Sequence, residues 1–115
     1  FARTGGFART DEALKANAIH ARQIAKQHSC AIFYMSQLSA DAENKVVLNQ
    51  AMMEGSRTGK AAEADLMILI AKNPPVEGQE EEDTMRHLNL VKNKLSGWHG
   101  IIHCELEYKT ARYVA

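Results

Sequence analysis

"CAIFYMSQLS", residues 30–39, is the stretch on which the fold turns. It opens as a short, continuous apolar run rich in residues that pack in sheets, so residues 30–35 read as a fully buried strand. The run ends abruptly at Ser36-Gln37, which places a glutamine at the carboxyl end of the strand, where open α/β sheets bind ligands. There a glutamine amide donates to a phosphate oxygen or an attacking water while its carbonyl anchors the following loop, so one side chain connects ligand state to loop position. The plainer reading is a glutamine that caps a turn.

Working outward, "TDEALKANAIHARQIAKQH" precedes the strand. Thr10 suits an N-cap, Asp11 and Glu12 fall in the first turn, and Lys26 and His28 fall near the end, as helix-end electrostatics prefer. Leu14, Ala18, Ala21 and Ala25, with Ile24 beside them, make one apolar stripe at helical spacing. The alanines permit close approach to a sheet. Before this helix, "FARTGGFART" repeats four residues around Gly5-Gly6 and reads as a flexible or truncated entry, residues 1–10.

Downstream of Gln37 lies a long stretch to Arg57 whose middle, "VVLNQAMM", fits either a mobile or partner-covered loop or a packed amphipathic helix. "GKAAEADLMILI" reads as a short helix over residues 60–64, then Asp65, then a buried strand over residues 66–70. "KNPPVEGQEEEDT" holds both prolines and a run of acids, a surface loop. "MRHLNLVKNK", the turn "LSGWHG" and "IIHCELEYKTARYVA" follow; Ile102, Cys104, Leu106 and Tyr108 alternate with His103, Glu105 and Glu107, the period-two pattern of a half-exposed strand in an edge hairpin. Continuous apolar strands followed by alternating ones predict an α/β fold with a mixed sheet, parallel in its central strands and closed by a C-terminal antiparallel hairpin. A chain that begins with a crossover-ready helix looks like the second half of a larger α/β domain.

Composition bounds the chemistry. With 115 residues the chain suffices for one domain, and 14 Lys plus Arg balance 14 Asp plus Glu, so any nucleic-acid contact comes from a local patch. Cys30 and Cys104 lie in apolar segments and read as buried free thiols, which favours a reducing, intracellular setting. No apolar run approaches the roughly 18 residues of a membrane span, and no signal-peptide pattern opens the chain. A cytoplasmic protein is the expectation.

Several motifs fail. "GSRTGKAA" lacks one spacer residue of a phosphate loop, has Ala61 where a magnesium-binding hydroxyl belongs, and precedes its strand. What remains of interest is Arg57 and Lys60, cations beside Gly55 and Gly59 where backbone approaches a polyanion closely. His28, His99, His103, Cys30 and Cys104 show no metal-ligand spacing, and no nucleophile elbow is present. In "LVKNKL", alternation puts Lys92 and Lys94 on one face with Asn93 opposed. Two ammonium groups at a strand end suit a phosphate held by another subunit, or are simply a solvated pair.

The succession of these segments resembles the hexameric replicative DNA helicases with a RecA-like ATPase core, in bacteria and in phage primase-helicases. "FYMSQLS", "GSRTGKAAEADLMILI" and "LVKNKLSGWHGIIHCELEYKTARYVA" carry the resemblance. It implies that residues 11–115 are the C-terminal half of a RecA-like P-loop NTPase core, with the phosphate loop and catalytic glutamate supplied elsewhere. It also implies that Gln37 senses the γ-phosphate, that Arg57, Gly59 and Lys60 lie near the DNA-binding channel loop, and that Lys92 and Lys94 reach the neighbouring subunit's nucleotide. Lys94 stands where the family has an arginine finger, keeping the charge but not the bidentate fork. The implied cofactors are ATP and Mg2+ in the complete protein. The implied partners are identical subunits in a hexameric ring, single-stranded DNA and a primase, in a bacterial or phage-infected cell. Residue chemistry leaves two other readings open: another RecA-type ATPase, recombinase-like or clock-like, and a small assembly domain without catalysis.

Overall fold

The computed structural model describes residues 10–53 and 63–115. It begins with helix α1, Thr10–His28. Lys26 and His28 occupy its last turn, where cations complement the negative end of the helix dipole. Among its described side chains Ala18 and Ala21 are buried, in line with the alanine stripe. Ser29 stops the helix by taking a left-handed conformation (φ 49°), so that the Cys30 amide donates back to the Ala25 carbonyl at 3.0 Å. This is a Schellman closure with serine in the place usually held by glycine.

Four strands follow in a single sheet: β1, Leu66–Lys72; β2, Met85–Asn93; β3, Gly100–Glu107; and β4, Arg112–Val114. Their spatial order is their chain order, and every pairing is antiparallel. Along β1, exposed and buried residues alternate without a break, because successive side chains leave opposite sides of a strand. Met67, Leu69 and Ala71 form the buried side and pack against Ala42, Leu48 and Met53. The core therefore lies between one face of the sheet and residues 38–53.

This architecture overturns the expected α/β class, a RecA-like P-loop NTPase core with a mixed sheet and parallel central strands. The described residues form an all-antiparallel meander with one helix. The decisive stretch, residues 30–35, enters no ladder, and Phe33 and Met35 are 92% and 94% exposed. An apolar run marks a segment that gains by burial, but pairing also needs a strand edge to join. Residues 30–35 join neither outer edge of the sheet, that of β1 or that of β4. Cys30 is likewise exposed, while Cys104 is buried. The strand expected to be fully buried over residues 66–70 is half-buried, with Leu66, Ile68 and Ile70 exposed.

The expected hairpin is present, but its first strand is central: β2 pairs with both β1 and β3, and β4 forms the edge. Most of the short helix expected over residues 60–64 lies outside the described residues. The stretch after Gln37 is neither a packed amphipathic helix nor free of the core. Two short 3-10 turns, Ala40–Ala42 and Gln50–Met52, interrupt an irregular path. An isolated antiparallel bridge between Leu38 and Met53 closes its base, with the Ser39 amide donating to the Met52 carbonyl at 2.7 Å.

Candidate functional site

The pairing of β1 with β2 contains a register shift that decides where the lysines go. Met67 faces Lys92 while the next residue, Ile68, faces Leu90, so Val91 is the extra residue of a β-bulge. Such a bulge reverses the alternation on the strand that carries it. Without it, Lys92 and Lys94 would share the face of Leu90 and Ile68. With it, Lys92 lies on the face of Met67, and Lys94 continues on that face beyond Asn93. The ladder is extended by the Lys94 amide, which donates to the Asp65 carbonyl at 2.9 Å. Lys92 and Lys94 thus emerge together beside Asp65.

Helix α1 reaches the same place through Arg22. Its Nη1 donates to the Glu63 carbonyl at 3.0 Å and to Asp65 Oδ1 at 3.1 Å, while its Nε lies 3.8 Å from Glu63 Oε2. Arg22, Lys92 and Lys94 therefore gather around Asp65 and Glu63. The hydrogen bond and positive charge of Arg22, with smaller contributions from Lys94 and Lys92, hold the Asp65 carboxyl below the usual carboxylate range. Partial burial lowers the pKa of Lys92, and the adjacent Lys94 charge lowers it further, against the pull of Asp65. Two like charges held together in this way favour an anion that both ammonium groups can touch.

Gln37 is exposed and stands one residue before the Leu38–Met53 bridge. Its link to the lysines is indirect. Gln50, in the loop that this bridge closes, donates from Nε2 to the Val91 carbonyl at 2.9 Å, on the bulge residue that precedes Lys92. Asn89 fixes the same loop: its Oδ1 accepts from the Leu48 amide at 3.0 Å and its Nδ2 donates to the Val46 carbonyl at 3.0 Å. The segment that begins after Gln37 is thereby tied to the strand that ends in the lysines. Arg57, Gly59 and Lys60 lie outside the described residues.

Sequence reasoning put Lys92 and Lys94 on one face and gave no sign of Arg22, Asn89 or the bulge beside them. Arg22 looked like one more polar position on a helix, and a polar residue inside a strand gives no sign that it will be buried. An open cleft of about 550 Å³, lined in part by Leu48, Gln50, Asn89, Val91 and Ile101, has no lysine or arginine among its described lining residues. Among the described residues no three His, Cys, Asp or Glu side chains converge in a way that would hold a metal. Among the described residues no helix is long and apolar enough to cross a membrane. No protein-family model matches the chain, and no curated protein matches it.

Proposed function

We propose that this chain is part of an ATP-dependent replicative DNA helicase, in which nucleoside triphosphate hydrolysis at subunit boundaries of a ring drives translocation on single-stranded DNA. The observation that carries the reading is the placement of Lys92 and Lys94 on one face at the outer end of β2, where the bulge at Val91 puts them beside Asp65. The reading rests on these residues and on the motif succession, not on a parallel core. Polypeptide outside these 115 residues supplies the phosphate loop, the magnesium ligands and the group that activates water.

In this reading Lys92 and Lys94 reach the triphosphate bound by a neighbouring subunit and stabilise the negative charge that spreads over the transferring phosphoryl group. Gln37 contacts the γ-phosphate of its own subunit. Its state passes to the lysine strand through the loop held by Asn89 and Gln50, so that occupancy of one pocket biases the cations offered to the next. Arg57, Gly59 and Lys60 approach DNA phosphates, contacts that position a strand without reading its sequence.

The test is DNA-stimulated ATP hydrolysis and strand separation by the assembled ring. Lys94→Ala lowers kcat by about a thousandfold, the lower end of the range for trans cationic fingers, while Lys94→Arg retains or raises it. Hydrolysis without strand separation would assign the chain to another ring ATPase, and an unchanged Lys94→Ala rate would remove the lysines from the reaction. One observation favours a second reading, that of an assembly domain without catalysis: Leu66, Ile68 and Ile70 leave one side of the sheet apolar and open.

A further inference from the structure

The connection between β2 and β3 is ordered by its own hydrogen bonds, yet every residue from 94 to 99 is exposed. Two of them are large and apolar: Leu95 is 78% exposed and Trp98 50%. Trp98 is fixed through both of its backbone groups. Its amide donates to Ser96 Oγ at 3.4 Å, and its carbonyl accepts from Asn93 Nδ2 at 3.3 Å. The ring is seated as well. A Cβ at position 100 would lie 2.6 Å from Trp98 Cζ2 and 2.7 Å from Cη2, closer than carbon atoms approach without bonding, so a side chain there would displace the ring and glycine lets the indole rest against the start of β3. An indole held along one side and open on the rest is a rigid aromatic platform.

Charge narrows what this platform can receive. From Thr84 to Cys104 the chain contains no Asp or Glu, and Lys94 is exposed at the start of the turn. Asp65, which joins the ladder at the Lys94 amide, has its carboxylate paired with Arg22 on α1, 3.1 Å away. A complementary ligand has planar apolar rings to lie on the indole and a negative backbone to lie beside the ammonium group. Unpaired nucleic acid has both. An anionic bilayer would be met by side chains that project from the tip, whereas the Trp98 ring lies back against Gly100. We propose that the β2–β3 turn is a stacking site for single-stranded DNA, with Trp98 carrying a base and Lys94 contacting a phosphate. The choice of DNA as the strand rests on the helicase reading, to which this adds a contact made by described residues. Stacking holds every base alike, as a translocating strand requires.

Trp98 is the chain's single tryptophan, so its fluorescence reports the site directly. The whole chain is titrated with oligothymidylate, with inorganic tripolyphosphate and with vesicles of phosphatidylcholine and phosphatidylglycerol. Oligothymidylate should quench the emission by stacking, and tripolyphosphate, which has charge without rings, should leave it unchanged. With a fluorescein-labelled oligothymidylate read by anisotropy, Trp98→Ala should weaken binding by about ten- to a hundredfold and Trp98→Phe by less than about fivefold. Lys94→Ala should reduce the steepness of log affinity against log salt by about 0.7, the share of one phosphate contact on a single strand. Amide spectra check that the β2–β3 pairing is kept in each variant, and quenching in the wild-type chain decides the matter where it is not. Emission that ignores oligothymidylate, or wild-type affinity in a folded Trp98→Ala chain, would overturn the proposal. A blue shift on anionic vesicles with no response to the oligonucleotide would overturn it in favour of a membrane surface. Neither readout needs nucleotide or a ring. Stacking on Trp98 together with an assembled ring that separates no strands would leave this site standing and the helicase reading refuted, and unwinding unaltered by Trp98→Ala would do the reverse.

Discussion

Asn89 is 2% exposed and sits where a strand core would ordinarily have an aliphatic side chain. Its amide satisfies the Leu48 N–H and the Val46 carbonyl, and reaches the His87 carbonyl at 3.3 Å. Asn89→Ala leaves two backbone groups of the loop unpartnered, and unsatisfied buried groups destabilise strongly; urea unfolding should show a loss of about 2–4 kcal/mol. A second polar chain runs through the same face. Asn73 donates to Asp83 Oδ2 at 2.7 Å, so its own oxygen faces His87 Nε2 at 2.8 Å. That oxygen only accepts, so His87 Nε2 carries a proton, and His87 Nδ1 shares a further hydrogen bond with His103 Nδ1 at 2.7 Å. Asp83 ends this chain, held below its ordinary value of 3.8 first by the Met85 amide and then by Asn73, with Arg86 and His87 adding charge. A carboxyl depressed in the folded state stabilises fully above its unfolded value, and that contribution is lost as pH falls through the lowered folded value. Stability should therefore decline below about pH 4, and Asp83→Asn should flatten that acid limb, as read by thermal unfolding at a series of pH values.

At the scale of elements, the lysines depend on the hairpin between β2 and β3. Asn93 Oδ1 accepts from the Leu95 amide at 3.0 Å and the Ser96 amide at 3.1 Å, while its Nδ2 donates to Ser96 Oγ at 2.8 Å. Gly97 completes the turn at φ 76°, a conformation an L side chain rarely adopts. The residue between the two cations is thus the turn's anchor, and alternation keeps anchor and cations on opposite faces. Asn93→Ala should cost about 1–2 kcal/mol and broaden the Lys92 and Lys94 signals in an NMR spectrum, with the β1–β2 pairing intact. Helix α1 was legible because its alanine stripe and end charges act locally, and the hairpin because period two survives wherever one face is buried. Residues 30–35 were misread because hydrophobicity reports a preference for burial and does not say whether a segment pairs with a strand. The lysine pair was found by simple alternation, although its actual face depends on the Val91 bulge, which no local feature of "LVKNKL" announces.

Over the whole molecule, stability and exposed apolar surface are separated in the sequence. Buried apolar packing is concentrated where Met67, Leu69 and Ala71 meet Leu48 and Met53. Phe33 and Met35 stand in solvent, and Leu66, Ile68, Ile70 and Ile102 leave the other side of the sheet open. A chain built this way responds unevenly to substitution. Leu69→Ala removes packing from the centre of the core and should cost about 2–5 kcal/mol, whereas Phe33→Ser and Met35→Ser should change stability by less than about 0.5 kcal/mol. Contiguous apolar surface that does not contribute to folding still drives association, because burying it against a second molecule releases the same ordered water. Sedimentation of the isolated chain should therefore depend on concentration, and Ile68→Thr with Ile70→Thr should abolish that dependence without lowering the unfolding midpoint. A wild-type chain that stays monomeric at every concentration would show that this face is tolerated in water. A double variant that unfolds would instead place the open face within the folding core, and the division between the two sides of the sheet would have to be abandoned.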